Sequence, residues 1–338
     1  MSSSKKHPAT ASDVAKLANV SQSTVSRAFA DDPRISVGTR ERIKKLAEQL
    51  GYRPNALARS LITRKSNLVG VAVGNLANPY FSSALEEMSV QFAKAGLKLL
   101  IFPAHLDTPI EHIINYRIEA LVMLSVPISE ELQLECDKAQ IPVIIFNRAS
   151  ETQNQYSVLG DNYFGSQTIA AFLLAGEHKK ISFVAIGDKE STASNEREQG
   201  LVDYLDDNKL SLFSREQAEF IEPGVTNAIR RLLVKPERPD AIYCANDHVA
   251  IKAVLVAQSE FGLQIGKDLS IVGFDNVPEA NWPGISLTTY SQPIENMVEA
   301  TLNIILALRD GMDVARNKII SGDLIVRASS KRPVIQSN

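Results

Sequence analysis

The sequence predicts an α/β protein with two unlike parts, a small all-α head and a larger body with parallel sheets. Three short amphipathic segments fill the first 53 residues, and from residue 68 onward continuous apolar runs alternate with helical segments. Such alternation is typical of buried parallel strands joined by helices. Residues 1–66 hold 13 Lys and Arg against 5 Asp and Glu, a net charge of +8, in a chain whose total is −3. The remainder therefore carries −11, so a basic head precedes an acidic body.

The first two segments of the head predict a helix, a tight turn and a second helix. The first segment is TASDVAKLANV, in which Thr10 and Asp13 have the spacing of a capping box. The second is VSQSTVSRAF, in which Ser21 can cap the first free N–H groups. At about 100° per residue, one face of the second helix is polar. That face holds Gln22, Ser23, Ser26 and Arg27. Two short helices joined in this way are typical of a helix-turn-helix.

The polar face of the second helix suits the major groove of DNA. Gln can pair with adenine and Arg with guanine through two hydrogen bonds each, and a basic head attracts phosphates. An ordinary surface helix is the alternative for these ten residues alone. A third segment adds to the pattern, because Ser36 can cap it and Gly51 can end it. Its expected inner stripe is Ile43, Leu46, Ala47 and Leu50.

The body shows two successive series of apolar runs. The first series lies at 68–74, 97–104, 119–125 and 141–147, and the second lies at 179–187, 239–246 and 269–276. A final helix at about 293–310 and a strand at 324–330 are expected to return to the first half. The sequence thus predicts two lobes with a cleft between them, and in open α/β sheets a ligand binds beyond the carboxyl ends of the strands.

Composition excludes several other classes of protein. No apolar run approaches the roughly 20 residues that span a membrane, and MSSSKKHPATASDV lacks a signal-peptide core, so we expect a cytoplasmic protein. Cys136 and Cys244 are isolated and the five His have no metal-binding spacing, so no metal site is expected. We find no phosphate loop, dinucleotide fingerprint or nucleophile elbow, and we therefore expect no cofactor and no catalytic residues. A periplasmic sugar-binding protein would need a signal peptide and no basic head.

The head and body together resemble one family. DVAKLANVSQSTVSRAF, TRERIKKLAEQLGYRPNALARSL and the body strands resemble bacterial repressors of the lactose and galactose repressor family, over essentially the whole chain. The resemblance implies a two-lobed body like that of periplasmic binding proteins. It implies a helix-turn-helix domain at 1–53, a hinge and linker at 54–67 and an effector-binding body at 68–338. Its first lobe would comprise about 68–161 and 293–326, and its second lobe about 162–292.

The family resemblance also implies a function and partners. The chain would be a sequence-specific DNA-binding transcriptional regulator, a repressor, that binds a pseudo-palindromic double-stranded operator as a homodimer. A small metabolite, a sugar or sugar derivative, would bind between the lobes and control operator binding.

The resemblance assigns DNA-binding residues in the head and in the hinge. RPNALARSL at 53–61 is too short to be a stable helix by itself, and in the family this segment folds on DNA, where a leucine wedges into the minor groove. By position that leucine is Leu61, and a plain linker is the alternative. The expected DNA-binding residues are Thr10, Ser21, Gln22, Ser23, Thr24, Ser26, Arg27, Asn55, Leu57, Ala58, Arg59 and Leu61.

Polar and aromatic side chains cluster where the body strands are expected to end. A polyol needs bidentate polar partners and aromatic faces, and Arg197 and Asp275 match the effector-binding arginine and aspartate of the family. For Asp161 and Asp247, helix capping is an equal alternative. The expected effector-binding residues are Asn78, Tyr80, Phe81, Asn147, Arg148, Asp161, Arg197, Asn246, Asp247, Asp275 and Trp282. The segment 103–120 is shorter than the family pattern, which predicts a clipped second body helix and leaves the dimer geometry there open.

Overall fold

The chain forms two compact units, residues 1–67 and residues 68–338, each of which is considered by itself. The structure is a computed structural model. It describes residues 9–53, 66–74, 76, 78–104, 110–124, 126–150, 152, 154–187, 192–219 and 222–333. Within these residues no helix combines the length and the apolar character that crossing a membrane requires.

The described part of the first unit contains three helices, α1 (Ala11–Leu17), α2 (Gln22–Phe29) and α3 (Val37–Leu50). Each begins at the capping residue that the sequence indicates. Thr10 Oγ1 accepts from the Asp13 N–H at 3.3 Å while Asp13 Oδ2 accepts from the Thr10 N–H at 2.9 Å, which is a reciprocal capping box. Ser21 Oγ accepts from the Thr24 N–H at 3.1 Å. Gly51 ends α3 at a φ of 67°, a left-handed conformation that glycine adopts without steric cost.

Small apolar side chains form the core of this unit. Val14, Val25, Ala28 and Ile43 are fully buried, and burying one Val or Ile side chain stabilises a fold by about 1.5–3 kcal/mol. The expected inner stripe of α3 is wrong at its last position, because Leu50 is 38% exposed.

The third helix is tied to the turn between the first two. Arg42 donates to the Ala18 carbonyl at 3.1 Å, at the end of α1. Asn19 then takes a positive φ of 51° and turns the chain toward α2.

The second unit is built on two six-stranded sheets. The first sheet has the order β11-β5-β4-β3-β1-β2, and all its neighbouring strands are parallel. Its strands are β1 (Leu68–Val73), β2 (Lys98–Pro103), β3 (Ala120–Leu124), β4 (Val143–Phe146), β5 (Tyr156–Gly160) and β11 (Asn317–Ile320). The connections contain α4 (Pro79–Lys94), a 3₁₀ helix (Ile110–Tyr116) and α5 (Glu130–Ala139). The short 3₁₀ helix stands where the sequence predicts a clipped helix.

The second sheet has the order β12-β10-β9-β8-β6-β7 and is parallel except at its edge. Its strands are β6 (Ile181–Ile186), β7 (Ser214–Ala218), β8 (Ala241–Cys244), β9 (Ser270–Asp275), β10 (Thr288–Ser291) and β12 (Leu324–Ile325). The helices of this half are α6 (Asn162–Ala175), α7 (Thr192–Asp207), α8 (Gly224–Leu233), α9 (Asp247–Phe261) and a 3₁₀ helix (Pro278–Asn281). A last helix, α10 (Ile294–Arg309), follows β10 and packs against α4 and β5 of the first half.

The chain passes between the two sheets three times, after β5, after β10 and after β11. The sequence places the returning strand at 324–330, and this is wrong. Asn317–Ile320 joins the first sheet beside β5, whereas Leu324–Ile325 pairs antiparallel with β10 of the second sheet. The second lobe therefore includes a segment that the expected boundary at 326 assigns to the first.

Candidate functional site

A cavity of about 240 Å³ lies in the second unit, where the carboxyl ends of strands from both sheets face one another. Residues after β1 and β4 and at the start of α4 line it from the first sheet, and residues at the ends of β6, β8 and β9 and at the start of α7 line it from the second. The lining residues are Gly74, Asn78, Tyr80, Phe81, Val126, Asn147, Ile186, Ala193, Ser194, Arg197, Ala245, Asn246 and Asp275. This is the crevice in which open parallel sheets hold ligands.

Arg197 is the cation of this lining, and its side chain is held rigidly. It lies in the second turn of α7 and is 4% exposed. Its Nε donates to Asn162 Oδ1 at 2.9 Å, its Nη1 donates to the Ala245 carbonyl at 2.6 Å, and its guanidinium lies 3.8 Å from the centroid of the Phe274 ring. Two hydrogen bonds and a stacked ring fix the plane of the guanidinium, so the remaining nitrogen has a defined direction.

Asp275 is the carboxylate that faces this guanidinium. It ends β9, is 3% exposed and has a φ of 128°, a backbone conformation that residues with a side chain rarely adopt. Its Oδ1 lies 3.6 Å from Arg197 Nη2, which is an ion-pair distance and too long for a hydrogen bond. Burial raises the pKa of the Asp275 carboxyl, and the positive charge of Arg197 opposes that rise.

Two buried polar atoms on opposite sides of the cavity have no hydrogen-bond partner among the described residues. They are Arg197 Nη2, a donor on the side of the second sheet, and Asn147 Oδ1, an acceptor on the side of the first sheet. Buried polar groups are almost always paired. A hydroxylated ligand could pair with both, because a hydroxyl both donates and accepts.

The polar helix face of the first unit is a second candidate site. On α2, Gln22, Ser23 and Arg27 are exposed, whereas Val25 and Ala28 face the core. A groove between the first two helices is lined by Ser12, Ala15, Lys16, Asn19, Val20, Ser21 and Gln22. Helix-turn-helix proteins read the major groove with side chains on an exposed helix that can form hydrogen bonds with base edges, and the exposed face of α2 has such side chains.

Comparison with known families identifies both units. The profile of the lacI family of bacterial regulatory proteins matches residues 10–55, and that of the periplasmic binding protein-like domain matches residues 170–330. The first unit thus matches the LacI family of bacterial regulatory proteins, and most of the second unit matches the periplasmic binding protein-like domain. The family resemblance of the sequence is thereby confirmed.

Two relatives that align over nearly the whole chain are repressors by name. The HTH-type transcriptional repressor CytR of Escherichia coli K12 is 28% identical over 333 residues, which are 96% of each chain. The ribose operon repressor of Haemophilus influenzae is 26% identical over 329 residues, which are 95% of this chain and 98% of the relative. A lac repressor dimer bound to operator and the anti-inducer ONPF superposes with a TM-score of 0.85 at 24% identity, over 96% of this chain and 100% of that one. This superposition confirms the expected fold.

Seven of the eleven expected effector-binding residues line the cavity. They are Asn78, Tyr80, Phe81, Asn147, Arg197, Asn246 and Asp275. Asn78 and Asn246 also cap helices, because their Oδ1 atoms accept from the N–H groups of Tyr80 and Val249 at 3.0 Å each. Capping and cavity lining thus occur in the same residues.

The other four expected residues do not line this cavity. Asp161 caps α6 through the Phe164 N–H at 3.2 Å, and Arg148 lines a small surface pocket beside Val126 and Gln155. Trp282 is 56% exposed. These three residues lie outside the lining of this cavity, and their role in effector binding stays a prediction.

Asp247 is the fourth residue outside the cavity, and its carboxylate lies beneath the cleft. It is fully buried, accepts from Thr289 Oγ1 at 2.6 Å and accepts from the Val277 N–H at 2.9 Å. Burial raises its pKa, and the nearby Asp275 raises it further. Asp247 thus supports the loop after β9 instead of facing a ligand.

The expected hinge residues Asn55, Leu57, Ala58, Arg59 and Leu61 lie outside the described residues, and their DNA-binding role stays a prediction. Two polar residues at the site were not predicted. Ser194 lines the cavity three residues before Arg197, a spacing that places both on one helix face, so Arg197 itself was the signal. Gln292 donates a hydrogen bond to Asp275 but does not line the cavity. It follows β10, a strand without a continuous apolar run, so its position at a strand end could not be read from the sequence.

Proposed function

We propose that this protein is a transcriptional repressor that binds a pseudo-palindromic operator as a homodimer, and that a small polar metabolite in the cleft controls operator binding. The first unit reads the operator and the second unit binds the metabolite, which is a sugar or sugar derivative. Because its target is bacterial DNA, the protein acts in the cytoplasm. The observation that carries the effector assignment is the buried Arg197–Asp275 ion pair in a two-sided cavity, in which Arg197 Nη2 has no hydrogen-bond partner among the described residues.

The DNA-binding role rests on the first unit. Its charge of +8 contrasts with −11 in the remainder, so the head attracts DNA and the body does not. Gln22 and Arg27 on the exposed face of α2 contact base edges, and Thr10, Ser21, Ser23, Thr24 and Ser26 contribute contacts to the sugar-phosphate backbone or to bases. The hinge segment with Leu61 packs into the minor groove and bends the duplex. The CytR and ribose operon repressors, which align over nearly the whole chain, support this role.

The effector role rests on the chemistry and size of the cleft. Its volume of about 240 Å³ is below the roughly 300–1,000 Å³ of drug-sized sites, which favours a ligand as small as a monosaccharide. Asn78, Asn147 and Asn246 supply neutral polar contacts, Arg197 and Asp275 supply charged ones, and Tyr80 and Phe81 supply aromatic surface. A solved relative from Enterococcus faecium contains bound ribose, which supports the assignment of a sugar-like ligand here.

Control of DNA binding follows from the two-sided lining. Asn147 follows β4 of the first sheet, whereas Arg197 on α7 and Asp275 at the end of β9 belong to the half with the second sheet, so a ligand that contacts all three favours one arrangement of the two lobes. A ligand can shift such an equilibrium only by its difference in affinity for the two arrangements. In a dimer, that difference changes the spacing of the two DNA-binding units and therefore operator affinity.

Isothermal titration calorimetry with uncharged pentoses, hexoses and nucleosides tests the effector half of this proposal. Fluorescence anisotropy with duplexes selected in vitro tests the DNA half. In calorimetry we expect saturable binding of at least one compound to the wild type and loss of that binding in Asp275→Asn. In the DNA selection we expect duplexes that contain inverted repeats. If the wild type bound none of these compounds, the effector half would be removed, and if it showed no sequence preference among duplexes, the DNA half would be removed.

A further inference from the structure

Gln292 is a buried polar residue that holds Asp275 at two points. It lies in the connection between β10 and α10, where the chain crosses from the second sheet to the first, and it is 4% exposed. Its Nε2 donates to Asp275 Oδ1 at 2.6 Å, and its main-chain N–H donates to the Asp275 carbonyl at 3.2 Å. These bonds stabilise the strained backbone of Asp275 and fix the plane of its carboxylate.

The other end of the Gln292 amide is fixed by the first lobe. The Tyr80 hydroxyl lies 3.5 Å from Gln292 Oε1 and can donate to it. A Cβ at Gly160 would lie 2.5 Å from the same oxygen, so the chain of β5 leaves room for this amide only because residue 160 is glycine. An amide oxygen turned toward the Asp275 carboxylate would face a second acceptor. The amide therefore has one favourable orientation, with its nitrogen on Asp275.

This orientation determines which carboxylate oxygen remains for a ligand. Among the described residues, both the Gln292 hydrogen bond and the Arg197 ion pair go to Asp275 Oδ1. Oδ2 is then the oxygen that can receive a hydrogen bond from a molecule in the cavity. An ionised carboxylate only accepts hydrogen bonds, so the partner of Oδ2 must be a donor.

We propose that Gln292 is a positioning residue that keeps Asp275 an ionised acceptor with Oδ2 directed at the ligand, so that the cleft selects uncharged ligands rich in hydroxyl groups over their acidic analogues. This inference rests on the proposed effector function and narrows its ligand class. An acid that paired its carboxylate with Arg197 Nη2 would bring it close to that of Asp275, because Nη2 lies 3.6 Å from Asp275 Oδ1, and the low dielectric of a buried site increases the cost of that repulsion. Gln292 itself touches no ligand in this account, because it acts through Asp275.

Four other titratable or charged groups surround the Asp275 carboxylate. Arg197 on α7 favours its charged form, Asp247 on α9 disfavours it, and the hydroxyls of Tyr80 on α4 and Tyr243 on β8 are buried nearby. Burial raises the pKa of Asp275, and the Gln292 hydrogen bond lowers it. Removing that bond therefore raises the pKa of Asp275. On acidification, ligand affinity should then begin to fall at a higher pH than in the wild type.

The test compares Gln292→Met with Gln155→Met in the full chain, because Gln155 is a buried amide outside the cleft that donates to Gln133 at 3.1 Å. Calorimetry measures the affinity of uncharged aldoses and of the matching aldonic acids from acidic to mildly alkaline pH. In the wild type we expect an aldose to bind more tightly than its acid. In Gln292→Met we expect about tenfold weaker aldose binding at neutral pH, with the loss on acidification shifted to higher pH. Gln155→Met should keep the wild-type profile.

A second variant covers a failure of Gln292→Met to fold. Gln292→Glu is almost the same shape but places a carboxyl group against Asp275, so we expect aldose binding to be lost at neutral pH and partly restored at acidic pH. Equal weakening at every pH, an unchanged profile in both variants, or tighter binding of the aldonic acid by the wild type would overturn the inference while leaving an effector site in place. Binding of none of the compounds by the wild type would overturn the effector half of the proposed function, and this inference with it.

Discussion

Replacing Arg197 by alanine tests whether the Arg197–Asp275 pair is a coupled unit. The change removes two hydrogen bonds of 2.9 and 2.6 Å and a stacking contact at 3.8 Å. It also leaves the buried Asp275 carboxylate without its counter-charge. Removing one partner of a buried ion pair costs about 3–5 kcal/mol, and we expect the free energy of unfolding of Arg197→Ala to fall by that amount.

The double variant separates the charge effect from the lost contacts. In Arg197→Ala with Asp275→Asn the uncompensated charge is absent, so the double variant should be more stable than the sum of the single changes predicts. We expect a coupling free energy of about 1–3 kcal/mol. Burial raises the pKa of Asp275. While the Asp275 carboxyl is protonated it carries no charge, so burying it without Arg197 costs little free energy. The stability of that variant should therefore fall as pH rises through the pKa of Asp275, and the double variant should not show this fall.

The assay is urea unfolding of the full chain, monitored by circular dichroism and by the fluorescence of Trp282, the single tryptophan of the sequence. Trp282 belongs to the second unit, so its signal reports on the unit that carries the pair. Additive losses in the two single variants, or a loss in Arg197→Ala that is independent of pH, would refute the coupling of these two groups.

Three further predictions follow from the described contacts. Burial raises the pKa of Asp247, so the free energy of unfolding of the wild type should fall as pH rises through that pKa. Asp247→Asn should flatten this pH dependence in urea unfolding, and the same pH dependence in the variant would contradict the prediction. Gln22→Ala and Arg27→Ala should each change base preference in binding-site selection by about 1–3 kcal/mol, whereas Lys16→Ala, if it removes only a phosphate contact, should weaken all sequences alike; unchanged preference in both recognition-helix variants would show that this face does not read bases. Trp282→Phe should leave effector affinity in calorimetry unchanged because the side chain is 56% exposed and outside the cavity. A tenfold loss of affinity would show that Trp282 contacts the effector.

Local signals in the sequence account for much of the fold. Continuous apolar runs mark β1, β3, β4, β6, β8 and β9 because both faces of these strands are covered by helices. Helix starts are equally readable, since Asn78 precedes Pro79 and Ser21 precedes a helical run. Four strands were not predicted. Ser214–Ala218 and Asn317–Ile320 lie at sheet edges with partly exposed faces, so their sequences contain no apolar run. Tyr156–Gly160 and Thr288–Ser291 lie inside the sheets and are mostly buried, but Ser, Thr and Gly interrupt their apolar residues.

The candidate site was predictable where a residue lies directly at a strand end, as Asn147 and Asp275 do. It was not predictable where tertiary contacts decide which way a side chain turns. Asp247 follows a strand as the prediction requires, but Val277 and Thr289 draw its carboxylate beneath the cleft. Gln292 is the converse case, because only the crossing of the chain between the sheets brings it to Asp275.

The most direct measurement of the central claim is the anisotropy of a labelled operator duplex, titrated with the full-length protein in the presence and absence of the compound that binds the cleft. The account predicts that the compound changes the apparent Kd of the wild type, and that Asp275→Asn binds the operator with near wild-type affinity without responding to the compound. A full wild-type response in Asp275→Asn, or no response in the wild type at saturating compound, would contradict control of DNA binding through this cleft.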